Sequence, residues 1–294
     1  MDKFYKNIDH QLSFNKGKNL FNNESFNTLK FIREITSVIE HLKDINESDA
    51  NLLIDYTSGK AISEFWRINQ YFSFDKSAKA ELRNIYFELF SALKKENTAV
   101  DELARLHYEK LKSWLQINNA FAEKIYHKKD EILEPVTCAE YSAQFQIDIF
   151  QINLSSLAAP VLDIGCGEKA NLVSFLNENG IEAFGIDRFT FDNVYLKKAD
   201  WLEFEYGTLK WGTIISNLGF SNHFYHHHLR EDGNYFNYAR KYMDILNSLK
   251  VAGSFYYAPE LPFIEQYLDK DKYQTEHHFV GELHLKATKI LRIH

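Results

Sequence analysis

Apolar positions in the first half of the chain follow a helical pattern. From Ser25 to about Asp130 they recur at spacings of three and four residues, which places them on one side of a helix. The first such run consists of Leu29, Ile32, Ile35, Val38, Ile39 and Leu42. Further runs cover 52–72, 78–93 and 100–126, with acidic starts and basic ends that suit the helix dipole. This pattern predicts three to five packed helices.

The helical pattern has clear limits on both sides. Residues 1–24 are polar and Asn-rich, and we interpret them as an N-terminal segment outside the helical domain. The first proline is Pro135, and a proline pushes the residue before it out of the helical region. The sequence therefore predicts a helical domain at 25–134 and a second domain at 135–294.

After Pro160 the pattern changes to short apolar runs that alternate with helical stretches, as in βαβ units with a parallel sheet. Strands are predicted at 161–164, 181–186, 195–199, 213–216, 254–258, 277–279 and 283–293. A helix is predicted at 170–179, between the first two strands. The second domain is therefore expected to be α/β.

Charge and cysteine content narrow the function classes. The formal net charge of −7 repels polyanions and disfavours nucleic acid and anionic membranes as partners. The two cysteines, Cys138 and Cys166, cannot form a disulfide framework, which favours a reducing compartment and hence the cytoplasm. The chain contains no signal-peptide pattern and no apolar run of about 18 residues, so we expect no membrane insertion.

The strongest chemical signal is the segment Val161-Leu162-Asp163-Ile164-Gly165-Cys166-Gly167-Glu168. Glycines at a strand-to-helix turn allow the backbone to approach a ligand that a Cβ atom would displace. Asp187 ends the second predicted strand, at a spacing of about 20 residues that suits contact with ribose hydroxyls. These residues predict a cofactor that contains a nucleoside.

Within this segment, Asp163-Ile164-Gly165-Cys166-Gly167 resembles the first motif of the class I S-adenosylmethionine-dependent methyltransferases, and the resemblance covers roughly residues 139–294. It implies a Rossmann-like seven-stranded methyltransferase fold, with the last strand antiparallel, behind an all-α N-terminal domain. It also implies that Asp163 and the backbone of Gly165, Cys166 and Gly167 face the amino-acid part of S-adenosylmethionine. Asp187 would bind the ribose hydroxyls.

The resemblance implies further cofactor contacts. Asp200 matches the acid near the adenine amine, and Trp201 would flank the ring. Asn217 lies at the end of the fourth predicted strand, where the reacting groups of the family converge. Additional predicted contacts are Arg188, Tyr141 and Gln144.

Two positions depart from the family pattern. Lys169 stands where a third glycine is usual, and Val251-Ala252-Gly253 replaces a Pro-Gly-Gly turn before the fifth strand. A Rossmann dehydrogenase shares the glycine motif, but the missing third glycine disfavours that alternative. Because of these two departures, the cofactor need not be bound in the way that is usual for the family.

Candidate catalytic and substrate residues follow the fourth and fifth strands. Residues 221–228 are rich in histidine, and we expect them to form a loop that borders the substrate. If a general base is needed, His223 is the first choice and His226 the second, because histidine titrates near neutral pH. Tyr257 and Glu260 are candidate acceptor contacts, although a strand end with a proline-rich turn explains them equally well. No metal site is predicted, because no Cys/His spacing typical of zinc ligands occurs.

The sequence thus predicts methyl transfer from S-adenosylmethionine to a nitrogen or oxygen of a small molecule. The acceptor is expected between the helical domain and the carboxyl edge of the sheet. One alternative is a ribosomal RNA methyltransferase with a helical N-terminal extension, which the acidity disfavours. Another is a non-catalytic cofactor-binding scaffold, motivated by Lys169 and the absence of an assured catalytic residue.

Overall fold

A computed structural model describes residues 1–32, 41–42, 44–95, 99–135 and 140–294. Contacts divide the chain into two compact units, Met1–Cys138 and Ala139–His294. The part of the first predicted helix that contains Ile35, Val38 and Ile39 lies outside the described residues, as does Cys138.

The described part of the N-terminal unit is helical. Its helices are α1 (Asp2–Phe14), α2 (Asn23–Asn27), α3 (Glu47–Ile68), α4 (Lys76–Leu93), α5 (Val100–Asn118) and α6 (Phe121–Tyr126). Asn46 and Asp75 cap α3 and α4, since each side chain accepts a hydrogen bond from a backbone N–H of the first helical turn. Aromatic side chains fill the core, and the rings of Phe74 and Trp114 stack with centroids 4.7 Å apart.

Helix α1 corrects our interpretation of residues 1–24 as a polar segment outside the helical domain. Its residues Phe4, Tyr5 and Ile8 pack against the core of the N-terminal unit. The buried amide of Gln11 donates to the carbonyl oxygen of Lys30 and accepts from the N–H of Ile32. The many polar residues of this segment obscured an apolar stripe with helical spacing.

The C-terminal unit alternates strands and helices. Its strands are β1 (Val161–Ile164), β2 (Ala183–Asp187), β3 (Leu196–Lys198), β4 (Trp211–Asn217), β5 (Leu249–Ala258), β6 (Tyr273–Val280) and β7 (Leu285–Arg292). Its α-helices are α7 (Ala143–Phe150), α8 (Asn171–Glu178), α9 (Phe220–His228), α10 (Tyr235–Ser248) and α11 (Pro262–Glu265). Short 3₁₀ turns occur at Leu154–Ser156 and Gly281–Leu283.

The seven strands form one sheet in the order β3-β2-β1-β4-β5-β7-β6. Strands β1 to β5 pair in parallel, whereas β7 runs antiparallel to both of its neighbours. This is the Rossmann-like seven-stranded methyltransferase fold, and the predicted fold class is confirmed. Strand β5 begins at Leu249, five residues before the predicted start, because Leu249 pairs with Trp211 across an irregular step in the ladder.

Helices cover both faces of the sheet. Leu162 and Ile164 pack on one face in a cluster with residues of α9 and α10. Val161 and Ile215 pack on the other face, in a cluster with residues of α7 and α8. Because both faces are covered, all residues of β1 and all of β4 except Asn217 are buried. The carboxyl ends of the parallel strands remain as the edge at which side chains can converge.

Candidate functional site

The turn after β1 is built for close backbone approach. Gly165 and Gly167 have φ angles of +82° and +75°, in the left-handed region that favours glycine. A Cβ atom on Gly165 would lie 3.3 Å from Cζ3 of Trp201, and one on Gly167 would lie 3.2 Å from Oε1 of Glu140. The turn therefore requires glycine for both its conformation and its neighbours.

Strand register brings Asp187 and Asn217 to opposite sides of this turn. Ile164 pairs with Ile186 of β2, and Asp163 pairs with Ile215 of β4. Strand β2 ends one residue after Ile186, at Asp187, and strand β4 ends two residues after Ile215, at Asn217. The Asp187 carboxylate accepts hydrogen bonds from the N–H groups of Gly167, at 3.1 Å, and Phe189, at 2.8 Å.

Two buried polar groups at this edge lack hydrogen-bond partners among the described residues. One is Oδ2 of Asp163, a residue that is 2% exposed. The other is the side-chain amide of Asn217, in which neither Oδ1 nor Nδ2 has a partner. Burying such groups unsatisfied costs about 1–3 kcal/mol each. A polar ligand at the edge would supply the missing hydrogen bonds.

Burial also changes the acidity of the two aspartates. Burial, with a smaller effect of the nearby Asp187 carboxylate, raises the pKa of Asp163 to about 8. Burial raises the pKa of Asp187 as well, and the N–H of Phe189 partly offsets the effect. Asp163 is therefore largely protonated at neutral pH, and a cationic ligand would favour its ionised form.

Trp201 forms a second wall of the candidate site. The guanidinium carbon of Arg188 lies 5.4 Å from the centroid of the Trp201 ring, and the His223 ring meets it edge-on at 4.7 Å. The Asp200 carboxylate accepts a hydrogen bond from the N–H of Leu202 at 2.9 Å. The predicted residues Arg188 and Trp201 thus contact one another, and Trp201 reaches the glycine turn.

The segment before β1 contributes a residue that sequence reasoning missed. The Glu140 carboxylate accepts hydrogen bonds from the N–H groups of Glu168, at 2.9 Å, and Lys169, at 3.3 Å. Of the residues predicted here, Tyr141 stacks on Phe145, whereas Gln144 is exposed and donates to Asp148. In the sequence, Glu140 is recognisable only as an acidic residue about 20 positions before β1 and its glycine turn.

The histidine-rich segment is helix α9 rather than the expected loop. His223 is 3% exposed and lies 3.5 Å from the hydroxyl of Tyr238. Burial, assisted by the positive charge of Arg188, lowers the pKa of His223 well below its usual range. His226 is half-buried, 3.2 Å from Nη1 of Arg230, and burial followed by that charge lowers its pKa too. Both imidazoles are poor proton acceptors at neutral pH.

The two candidate acceptor contacts form other interactions. Tyr257 is fully buried, donates to Oε1 of Glu265 and lies 2.9 Å from the Tyr242 hydroxyl. Glu260 forms an ion pair with Lys286, at 3.2 Å, and its Oε2 lies 3.7 Å from Nδ1 of His277. We therefore leave Tyr257 and Glu260 out of the proposed site.

Within the described ranges, no group of three or more His, Cys, Asp or Glu side chains is arranged to hold a metal ion. None of the helices described combines the length and the apolar character needed to cross a bilayer.

No family model matches the sequence, and no curated protein matches it. Solved structures with similarity to the chain include the N-methyltransferase NodS from Bradyrhizobium japonicum in complex with S-adenosyl-L-homocysteine. It is 11% identical over 51% of this chain and 85% of that chain, with a TM-score of 0.36.

Two further similar structures have comparable scores. The 1,6-didemethyltoxoflavin-N1-methyltransferase from Burkholderia thailandensis is 14% identical over 53% of this chain and 80% of its own, with a TM-score of 0.34. An rRNA methylase from Streptococcus thermophilus is 12% identical over 54% of this chain and 100% of its own, with a TM-score of 0.37. Strand order and register, rather than these scores, define the fold.

Proposed function

We propose that the C-terminal unit is an S-adenosylmethionine-dependent methyltransferase. The observation that carries this proposal is the pair of unpartnered polar groups, Asp163 and Asn217, beside a turn with two left-handed glycines. They lie at the carboxyl edge of a sheet whose strand order is that of the methyltransferase fold. Ligands of open α/β sheets bind at this edge.

The residues fit S-adenosylmethionine in a specific way. The Asp163 carboxyl and the glycine turn would hold its charged amino-acid part, and Asp187 would accept the ribose hydroxyls. Trp201 would flank the adenine ring, with Asp200 next to it in sequence; Trp201 is 8% exposed and belongs to the core of the C-terminal unit. The bound cofactor would supply a methyl group on a sulfonium, which is already activated for displacement.

Helix α8 and the end of β4 supply further support. Ala170, directly before α8, and Leu218, directly after β4, have φ angles of +47° and +53°. Such left-handed conformations are costly for residues other than glycine. Among the described residues, Gln151, Leu209, Ala252 and His284 also adopt them, so Ala170 and Leu218 support the proposal through their positions. Both lie in segments that follow a parallel strand, where the fold presents its ligand-binding edge.

For the acceptor, we propose a nitrogen or oxygen of a small molecule. The net charge of −7 favours this class over ribosomal RNA. The unpartnered amide of Asn217 can orient the acceptor atom, because it offers both a donor and an acceptor. Because the pKa of His223 is well below its usual range, we assign this chain the role of positioning the acceptor rather than deprotonating it.

Calorimetric titration of the purified full-length protein with S-adenosylmethionine and S-adenosylhomocysteine tests the proposal. We expect binding by the wild type and a loss of at least about tenfold in affinity in Asp187→Ala, because the ribose hydroxyls lose a charged acceptor. The matched control is Asp271→Ala, which removes an exposed aspartate on the turn before β6.

The outcomes separate the possibilities. No binding by the intact protein, or equal affinity in the Asp187 variant, would contradict the proposed cofactor site. Binding without methyl transfer to any compound in a screen of small-molecule amines and alcohols would favour the non-catalytic scaffold instead.

A further inference from the structure

The N-terminal unit contains an apolar cavity of about 140 Å³. Helices α1, α3, α4 and α5 line it, with contributions from Leu12, Leu53, Ala61, Leu89, His107 and Tyr108. A cavity of about 150 Å³ with an apolar lining stays free of water and accepts benzene in another protein. The volume here suits a ligand about the size of one aromatic ring.

Two polar atoms on residues that line this cavity have no hydrogen-bond partner in the described part of the chain. They are Nδ1 of His107 and Oδ1 of Asn15. His107 is 5% exposed, and its ring packs against Tyr86 and Tyr108 with centroid distances of 5.0 and 5.3 Å. The Asn15 amide nitrogen, in contrast, donates to the carbonyl oxygen of Lys30 and to the hydroxyl of Tyr108.

Leaving such atoms buried and unsatisfied costs stability, and a small molecule with a matching polar group would recover it. A hydroxyl group satisfies both atoms when Nδ1 of His107 carries the proton, because it then accepts from Nδ1–H and donates to Oδ1 of Asn15. The apolar lining requires the remainder of the molecule to be apolar. An anionic or cationic ligand is disfavoured, because the charged groups of the lining already have partners: Lys18 donates to the carbonyl oxygen of Thr28, and Glu64 pairs with Arg67.

We propose that this cavity is a binding site for a small apolar molecule that carries one hydroxyl group, with phenol as the simplest example. The site lies within the N-terminal unit and does not depend on the proposed methyl transfer. His107 and Asn15 give the ligand its polar contacts, and the leucine side chains give it an apolar surface.

Phenol and toluene are suitable probes, because a methyl group replaces the hydroxyl on the same ring. Each is titrated into the full-length protein by calorimetry, and thermal unfolding is recorded with and without it. We expect saturable binding of phenol and a higher unfolding temperature in its presence. Absence of saturable phenol binding would overturn the proposal.

Two variants test the location of the binding site. Ala61→Leu places an isobutyl group in the cavity and is expected to lower phenol affinity by at least about tenfold, since the space is filled. Ala80→Leu makes the same change on the exposed side of α4 and is expected to have no effect. Equal phenol affinity in wild type and Ala61→Leu would contradict the assignment.

His107→Phe tests the hydrogen bond separately and does not depend on the cavity-filling variant. It keeps an aromatic ring but removes Nδ1, so phenol affinity is expected to fall by about two- to tenfold while toluene affinity is unchanged. Unchanged phenol affinity, or an equal loss for both probes, would refute the role of His107. Unchanged toluene affinity checks that the N-terminal unit of the variant is folded, and S-adenosylmethionine affinity, measured in parallel, reports on the other proposal independently.

Discussion

Replacing Asp163 by asparagine is expected to stabilise the ligand-free protein more strongly as the pH rises. The Asp163 side chain lies in β1 with Oδ2 unpartnered, and burial raises its pKa to about 8 from an ordinary value of 3.8. Asparagine has nearly the same shape but no charge at any pH. The variant therefore removes the cost of ionising a buried carboxyl and leaves the packing of the strand intact.

The direction of the pH dependence follows from proton binding. Between about pH 4 and pH 8 the folded protein holds a proton on Asp163 that the unfolded chain releases, so this residue favours folding most at low pH. That contribution is lost as the pH rises through this window. The difference of about four units between the two pKa values corresponds to about 6 kcal/mol in total, or about 1.4 kcal/mol for each pH unit.

Hydrogen exchange of peptides from β1 and β4 is the appropriate assay, because the chain has two units and a single unfolding transition need not describe both. Protection is compared for wild type, Asp163→Asn and the exposed control Asp271→Asn at pH 5.5, 6.5, 7.5 and 8.5, after correction for intrinsic exchange rates. We expect the advantage of Asp163→Asn to grow with pH and the control to follow the wild type. An advantage that stays constant with pH would refute the proposed ionisation.

Two further predictions concern the turn and the core. Gly165→Ala should reduce S-adenosylmethionine affinity by at least about tenfold, because the added Cβ would lie 3.3 Å from Trp201 at a φ of +82°. Gly207→Ala, at a φ of +79° on another turn, is the control for backbone strain. Equal effects of the two variants on affinity would contradict the site. Tyr257→Phe should lower the free energy of unfolding, measured in urea, by about 1–3 kcal/mol, because it removes the hydroxyl that lies between Glu265 and Tyr242. Reduced cofactor affinity at unchanged stability would instead indicate that Tyr257 belongs to the cofactor site.

Strands β1, β2 and β4 were predictable because they are short, largely apolar and separated by clear turns. Strand β6 begins at Tyr273, four residues before the predicted start, because most of its residues are polar. Strand β1 has the predicted bounds, and β2, β3 and β4 differ from prediction by one or two residues at each end. The order of the strands in the sheet could not be predicted in this way, because periodicity alone does not determine which strands pair. That information came from the resemblance carried by Asp163, Gly165 and Gly167.

Helix α9 was missed although its pattern is present in the sequence. The buried positions Phe220, His223, Phe224 and His227 follow the spacing of one helical face. We read the histidines as polar residues of a loop, whereas His223 and His227 are buried among aromatic rings. Histidine is intermediate in its tendency to be buried, so a consecutive run of it conceals the helical period.

Contacts between distant residues account for the remaining differences. The Glu140 carboxylate accepts hydrogen bonds from the N–H groups of Glu168 and Lys169, which follow it by 28 and 29 positions. The Tyr257 hydroxyl contacts the side chains of Tyr242 and Glu265. Such pairs depend on how segments cross in the folded unit, and neither hydrophobic period nor turn chemistry encodes them. Trp201 was assigned to the site by resemblance, and its contact with the glycine turn is a consequence of tertiary packing.

The unpartnered polar atoms connect the two proposed sites by one physical argument. Asp163 and Asn217 in the C-terminal unit, and Asn15 and His107 in the N-terminal unit, each leave a buried donor or acceptor unsatisfied in the described structure. At about 1–3 kcal/mol each, such groups use an appreciable part of the 5–15 kcal/mol by which a typical protein is stable. A ligand that completes these hydrogen bonds would therefore stabilise the folded protein. The same reasoning predicts that each ligand stabilises chiefly the unit that binds it.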